Sequence, residues 1–211
     1  MEFTADQVWA CAAAAQRING EYLKEPVYDF DIDQKNPIKQ ANKMLVKDWL
    51  RTNNFSQLNA ADYEAGVKAR NHFKSYTLLM LAGQLNDFQQ TALKIASKDV
   101  FTGRDMYDFA VISCLPSVAE RDQQRNALKR EVFASEQLRG AIGDTVVGEI
   151  SVQGCRFNQN FNKYRITARM GESFVDFWFS KELAGELKIK GKIKNIRGDK
   201  TTQLNYVKII G

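Results

Sequence analysis

Residues 187–196 alternate strictly, with Leu187, Ile189, Gly191 and Ile193 on one side and Lys188, Lys190, Lys192 and Lys194 on the other. A period of two puts successive side chains on opposite faces, so such a segment folds as a strand with one buried and one wet face. As a helix it would scatter its lysines around the circumference. Residues 163–170 repeat the pattern, with Tyr164, Ile166, Ala168 and Met170 against Lys163, Arg165, Thr167 and Arg169. Residues 145–152 are rich in β-formers, residues 173–179 form an aromatic strand and residues 201–210 a last one. Gly171-Glu172 and Gly198-Asp199-Lys200 are turns, and residues 180–185 are long enough for one helical turn. Alternation bounded by glycine turns predicts a half-buried antiparallel sheet.

The first 140 residues follow a helical period instead. Thr4-Ala5-Asp6-Gln7 has capping-box spacing and opens an alanine-rich segment to about Arg17. Asn36-Pro37 predicts a helix start before Ile38, Ala41, Leu45 and Trp49. One helix is expected over residues 62–82, stopped by Gly83 and containing Leu78-Leu79-Met80-Leu81. Further helices are marked by Phe88, Ala92 and Ile95, and by Tyr107, Ala110, Val111 and Cys114, the latter ended by Pro116. Ser117-Val118-Ala119-Glu120 has capping-box spacing and opens a charged helix to about Gly140. The expected architecture is α+β: an all-helical domain over residues 1–140, then a five-stranded antiparallel barrel over residues 141–211.

Charge divides at the same place. Residues 1–143 hold 18 Lys+Arg and 18 Asp+Glu, whereas residues 144–211 hold 12 and 7, so the last third carries the entire net charge of +5. Such asymmetry points to a module that meets a polyanion.

Five strands with a short insertion between the third and fourth follow the order of an OB-fold barrel. Gly143-Asp144 before the first strand, Lys190-Gly191-Lys192 in the fourth and Thr202-Gln203-Leu204 after the last turn extend the likeness. The segment resembles the OB domains of replication and single-strand-binding proteins, including tailed-phage early proteins with a helical N-terminal region. The resemblance covers about a third of the chain. It implies a non-enzymatic protein that binds single-stranded DNA, or RNA, in replication or recombination. It places the ligand face on the second and third strands, bordered by residues 153–162 and 197–201. Its acidic C-terminal recruiting tail has no counterpart in Tyr206-Val207-Lys208-Ile209-Ile210-Gly211. The helical domain is therefore the expected surface for replication or recombination partners and for a homo-oligomer.

Single-stranded nucleic acid requires cations along its phosphates and rings for its bases. Arg156, Phe157, Phe161 and Lys163 in and beside the first loop, with Arg165 and Arg169 on the second strand, supply both. So do Trp178 on the third strand, Lys190 and Lys192 on the fourth, and Arg197 and Lys200 at the last turn. Against this, Phe174, Phe177, Trp178 and Phe179 are also barrel-core candidates, with three or more of them expected inside, and the lysine stripe of residues 188–194 equally suits a solvated face or a protected edge. Arg121, Arg125 and Lys129 share one face of a charged helix, which reads as solvated.

Other chemistries find little support. No Gly-x-x-x-x-Gly-Lys phosphate loop or dinucleotide fingerprint occurs, so no cofactor is expected. His72 is the lone histidine and has no identifiable nucleophilic partner. Cys11, Cys114 and Cys155, too far apart for a zinc motif, suit a reducing cytoplasm. Asp29, Asp31 and Asp33 in one extended run are a weak nuclease signature, since a metal site needs convergent carboxylates. An alternative to nucleic-acid binding is an adaptor whose barrel and helices bind a protein.

Overall fold

Ala10, Cys11, Ala12, Ala14 and Ala15 are all buried, which makes the alanine-rich helix the centre of its unit. In this computed structural model, which describes residues 1–29 and 37–210, that helix is α1 (Ala5–Asn19). The expected capping box closes it: Gln7 N donates to Thr4 Oγ1 at 3.2 Å and Thr4 N donates to Gln7 Oε1 at 3.0 Å. Small side chains let neighbouring backbones come close. A Cβ on Gly66 would lie 2.7 Å from the Trp9 carbonyl carbon, so α3 (Ala60–Lys74) meets α1 almost backbone to backbone. Trp9, Leu50, Phe73, Phe101, Phe109, Ile112 and Leu115 fill the space around it. The first compact unit is Met1–Gln123 and the second Gln124–Gly211.

Several expectations for the first unit change. It is not all-helical: β1 (Glu2–Thr4) pairs antiparallel with β2 (Val100–Thr102). α2 starts late, at Asn42–Thr52, leaving Ile38 exposed; Asn36, its expected cap, lies outside the described residues. The helix expected over residues 62–82 breaks into α3 and a short α4 (Thr77–Leu81). Between them Tyr76 turns inward, donating its hydroxyl to Asp122 Oδ2 at 2.8 Å. Gly83, at φ +67°, follows α4 as expected. α5 (Asp87–Ala96) appears where its periodicity puts it, and α6 (Met106–Ile112) takes in Tyr107, Ala110 and Val111 but stops before Cys114. Pro116 does not end a helix but sits in the first turn of α7 (Leu115–Ala134). A missing N–H costs nothing there, since first-turn N–H groups have no intrahelical acceptor. Ser117 is consequently inside α7 and caps nothing.

The second unit holds a closed five-stranded barrel in the order β3-β4-β5-β7-β6, an OB-like arrangement. Its strands are β3 (Thr145–Asn158), β4 (Lys163–Met170), β5 (Ser173–Phe179), β6 (Glu186–Ile196) and β7 (Thr202–Ile209). Two corrections apply. The barrel is mixed, because β5 and β7 run parallel, pairing Val175 with Thr202 and Asp176 with Gln203. The connection after β5 is irregular rather than helical, and it drops Leu183 into the barrel core. Ile150, Ile166, Ala168, Val175, Phe177, Ile189, Ile193 and Leu204 fill that core. Gly191 is buried in β6, where a Cβ would come within 3.1 Å of Val207 Cγ2, so the crowding expected at this position is real.

Candidate nucleic-acid interface

The most informative local feature is one extra residue in β3. Val152 pairs with Ala168, but Gly154 pairs with Thr167, so Gln153 is a β-bulge. Before it, Ile150 and Val152 share the parity of the core residues; after it, Cys155 and Phe157 do. A one-residue shift exchanges the faces of a strand, and bulges re-aim side chains in this way. If all of these residues alternated without the bulge, Arg156 would have the parity of Ile150 and point into the core. With it, Arg156 faces outward and pairs with Arg165, which pairs in turn with Trp178.

The result is an outward row across three strands: Arg156 on β3, Arg165 on β4 and Trp178 on β5. Phe161, 64% exposed, reaches it from the turn between β3 and β4. Its ring centroid lies 5.3 Å from that of Trp178 at a tilt of 59°. Lys163 belongs to the same face of β4 and is exposed. The first loop is shorter than expected, because β3 runs on to Asn158. Phe157 is thus a strand residue; it is 46% exposed and packs on Tyr164 with centroids 5.0 Å apart.

Asp176 was not among the expected site residues. Its side chain is 2% exposed, yet its Oδ2 accepts from Arg165 Nη2 at 2.8 Å and lies 2.7 Å from Arg197 Nη2. Two guanidiniums on one buried carboxylate leave a surplus positive charge. Each arginine keeps part of its surface in solvent, Arg165 43% and Arg197 33%. The carboxylate fixes both cations in place while leaving them reachable. A lone acid in the apolar run Phe174-Val175-Asp176-Phe177-Trp178 was the available signal, because buried carboxylates need partners.

Other expected contacts are placed elsewhere. Arg169 is at the far end of β4, bonded to the Gly171 carbonyl at 2.9 Å and Glu172 at 2.9 Å. Lys200 Nζ donates to the Ser135 carbonyl at 3.1 Å and the Phe133 carbonyl at 3.4 Å, at the C-terminal end of α7. A cation suits that end of a helix, where free carbonyls concentrate negative charge. The last turns of α7 also approach the middle of the expected ligand face: a Cβ on Gly154 would lie 3.9 Å from both Leu128 Cδ2 and Thr167 Cβ. Phe174, opposite Arg169, is buried. The open part of the face is therefore its Arg156–Arg165–Trp178 end. Lys190 and Lys192 are not part of it; they lie on β6, opposite Val147 and Thr145 at the other end of β3.

The alternative chemistries gain nothing from the geometry. Beyond Asp29, the acidic run Asp29–Asp33 lies outside the described residues, and among the described residues no cluster of His, Cys, Asp or Glu has metal-site geometry. Burial pushes the Cys11 thiol up to about 12, and burial likewise raises Cys114. Among the described residues no helix is long and apolar enough to cross a membrane. Compared with protein families, curated proteins and solved structures, the chain matches none.

Proposed function

We propose that the barrel binds single-stranded nucleic acid, with bases stacked at Phe161 and Trp178 and the backbone following Arg156, Lys163 and Arg165. The supporting observation is the bulge at Gln153, which aims Arg156 into the same exposed row as Arg165 and Trp178. The role is binding rather than catalysis. The motif resemblance favours DNA and a part in replication or recombination.

The test is titration with single-stranded DNA, single-stranded RNA and duplex at two salt concentrations. Intrinsic fluorescence isolates the site, because Trp9 and Trp49 are buried and Trp178 is the partly open one of the three tryptophans. Quenching by single strands, weaker binding to duplex and a log–log salt slope near −2 are expected, at about 0.7 per neutralised phosphate for three cations. Trp178→Ala should weaken binding by roughly 5- to 150-fold, the equivalent of about 1–3 kcal/mol per stacked base. Absence of oligonucleotide binding at low salt rejects the reading.

One observation favours an adaptor as the second reading. Leu78, Leu79, Met80 and Leu81 of α4 are all exposed, an apolar run on the helical unit that a protein partner could cover.

A further inference from the structure

Of the two structural readings of the alternating lysines of β6, a solvated face and a protected edge, the second falls away. Lysines along a strand protect an exposed edge from pairing with another chain. β6 is no edge: it pairs with β3 on one side and β7 on the other, inside a closed barrel. Lys188, Lys190, Lys192 and Lys194 are all exposed. Residues of one strand face recur about every 6.8 Å, so Lys188, Lys190 and Lys192 form a regular line of charge, and Lys194, in the register shift between Ile193 and Asn195, stands at its end. Lys208 of β7 stands opposite Lys190 and extends it sideways. Among the described residues none of these five lysines is in an ion pair. The carboxylates on this face, Glu149 and Glu186, gather near Lys188 and leave Lys190, Lys192, Lys194 and Lys208 unopposed.

A second feature lies in the middle of that charge. Lys190 pairs with Lys208 and Lys192 with Asn205, so Tyr206 and Val207 both stand opposite Gly191 in a bulge of β7. The bulge has a structural cause. Leu204 and Val207 both pack on the core, and an odd spacing between them requires an extra residue. The choice of that residue has none. Tyr206 adopts φ +51°, the left-handed region that glycine occupies freely and a bulky side chain does not. Its side chain is 77% exposed, so no burial offsets the strain. Strained, exposed aromatics are a mark of binding surfaces. Val147, opposite Lys190 on β3, adds an apolar surface that is 53% exposed.

We propose that the outer face of β6 and β7 is a second nucleic-acid contact, in which Tyr206 stacks a base and Lys190, Lys192, Lys194 and Lys208 hold the flanking phosphates. This rests on the function proposed above and extends it: a strand long enough to pass the end of α7, which lies over Gly154, would touch both the Arg156–Trp178 row and Tyr206. The two contacts share β3, with Arg156 at one end and Val147 about 30 Å away along the chain at 3.4 Å per residue. Site sizes on barrels of this class run from about 4 to 16 nucleotides, so length separates the two contacts.

The experiment measures affinity of the full chain for single-stranded DNA of roughly 6 and roughly 20 nucleotides, lengths chosen to straddle that range. Three proteins are compared: wild type, Tyr206→Gly, and Lys190→Glu with Lys192→Glu. Tyr206→Gly removes the ring but suits the backbone, so its melting temperature should hold or rise while affinity for the long strand falls at least about fivefold. The lysine reversals should weaken the long strand tenfold or more and flatten its salt slope by about 1.4. Both variants should bind the short strand as wild type does. Equal losses on both lengths, or an unaffected long strand, overturn the second contact while leaving the first in place. An effect of the lysines without an effect of Tyr206 overturns it too, since that describes a general polyanion surface. Failure of wild type to bind either length removes both contacts.

Discussion

At the scale of single residues, two buried carboxylates set the terms. Asp176 holds Arg165 and Arg197 from one oxygen, and its Oδ1 is buried without a hydrogen-bond partner. Asp176→Asn keeps the shape and removes the charge that both guanidiniums face. Urea denaturation should show a loss of about 1–3 kcal/mol, toward the lower end because both arginines are partly in solvent. A stability equal to wild type would mean that the cluster is not held by charge. Asp62 of α3 is the counterpart in the helical unit, 2.8 Å from Arg17 Nε. Burial raises its carboxyl pKa, but the bonds from Arg17 and from the Asn59 backbone outweigh burial and hold it below its usual 3.8. A depressed carboxylate contributes stability that is complete above the unfolded-state value and fades as pH falls through the folded one. The stability gap between wild type and Asp62→Asn should therefore be flat above about pH 5 and shrink below about pH 4. A gap independent of pH would show that the ion pair contributes nothing.

At the scale of elements, the sequence was most legible where one period ran unbroken. Lys163–Met170 and Ser173–Phe179 match their expected bounds, because each is a single alternating run closed by a turn. β3 was not legible past Val152, since Gln153 breaks the parity and a strand with a bulge reads as a strand followed by a loop. The same break hid the row that brings Arg156 to Trp178. α3 and α4 were read as one helix because periodicity does not register the inward turn of Tyr76. Two substitutions test these elements. Deleting Gln153 removes the extra residue and leaves β3 in one unbroken alternation, with Val152, Cys155 and Phe157 toward the core and Arg156 still outward opposite Arg165. The deletion should therefore keep oligonucleotide binding, as should Gln153→Ala, which keeps the bulge; loss of binding in the deletion alone would show that the bend of the bulge, and not parity, places Arg156. Gly66→Ala would put a methyl carbon 2.7 Å from the Trp9 backbone of α1, where no flexible side chain can yield. A destabilisation of about 1–3 kcal/mol is expected from overpacking, read from the urea midpoint.

At the scale of the whole molecule, two separate cores explain why the change of period at residue 140 marks the start of the strands and not the start of the second unit. Periodicity reports which secondary structure a segment adopts; it does not report which core the segment joins. α7 is helical to Ala134, yet the second unit begins within it, at Gln124. The approach of Leu128 to Gly154, the bonds of Lys200 to the carbonyls at Phe133 and Ser135, and the bridge of Glu136 to Ser173 all fall before the first strand. These leave little trace in hydrophobic spacing, because Leu128 and Val132 make only one helical repeat among charged residues. A fragment of residues 124–211 retains these contacts, and a fragment of residues 141–211 loses them and uncovers the middle of the β4–β5 face. Leu128 is only partly buried, so its loss together with the Lys200 contact should destabilise the shorter fragment by about 1–2 kcal/mol. In a domain of this size that corresponds to a melting temperature lower by roughly 4–15 °C. Both fragments retain Arg156, Phe161, Arg165 and Trp178, so at a temperature where both are folded they should bind single-stranded DNA alike. A shorter fragment that melts with the longer one would show that the end of α7 merely rests on the barrel. One that is folded but binds more tightly would show that this end of the helix competes with the nucleic acid for the face.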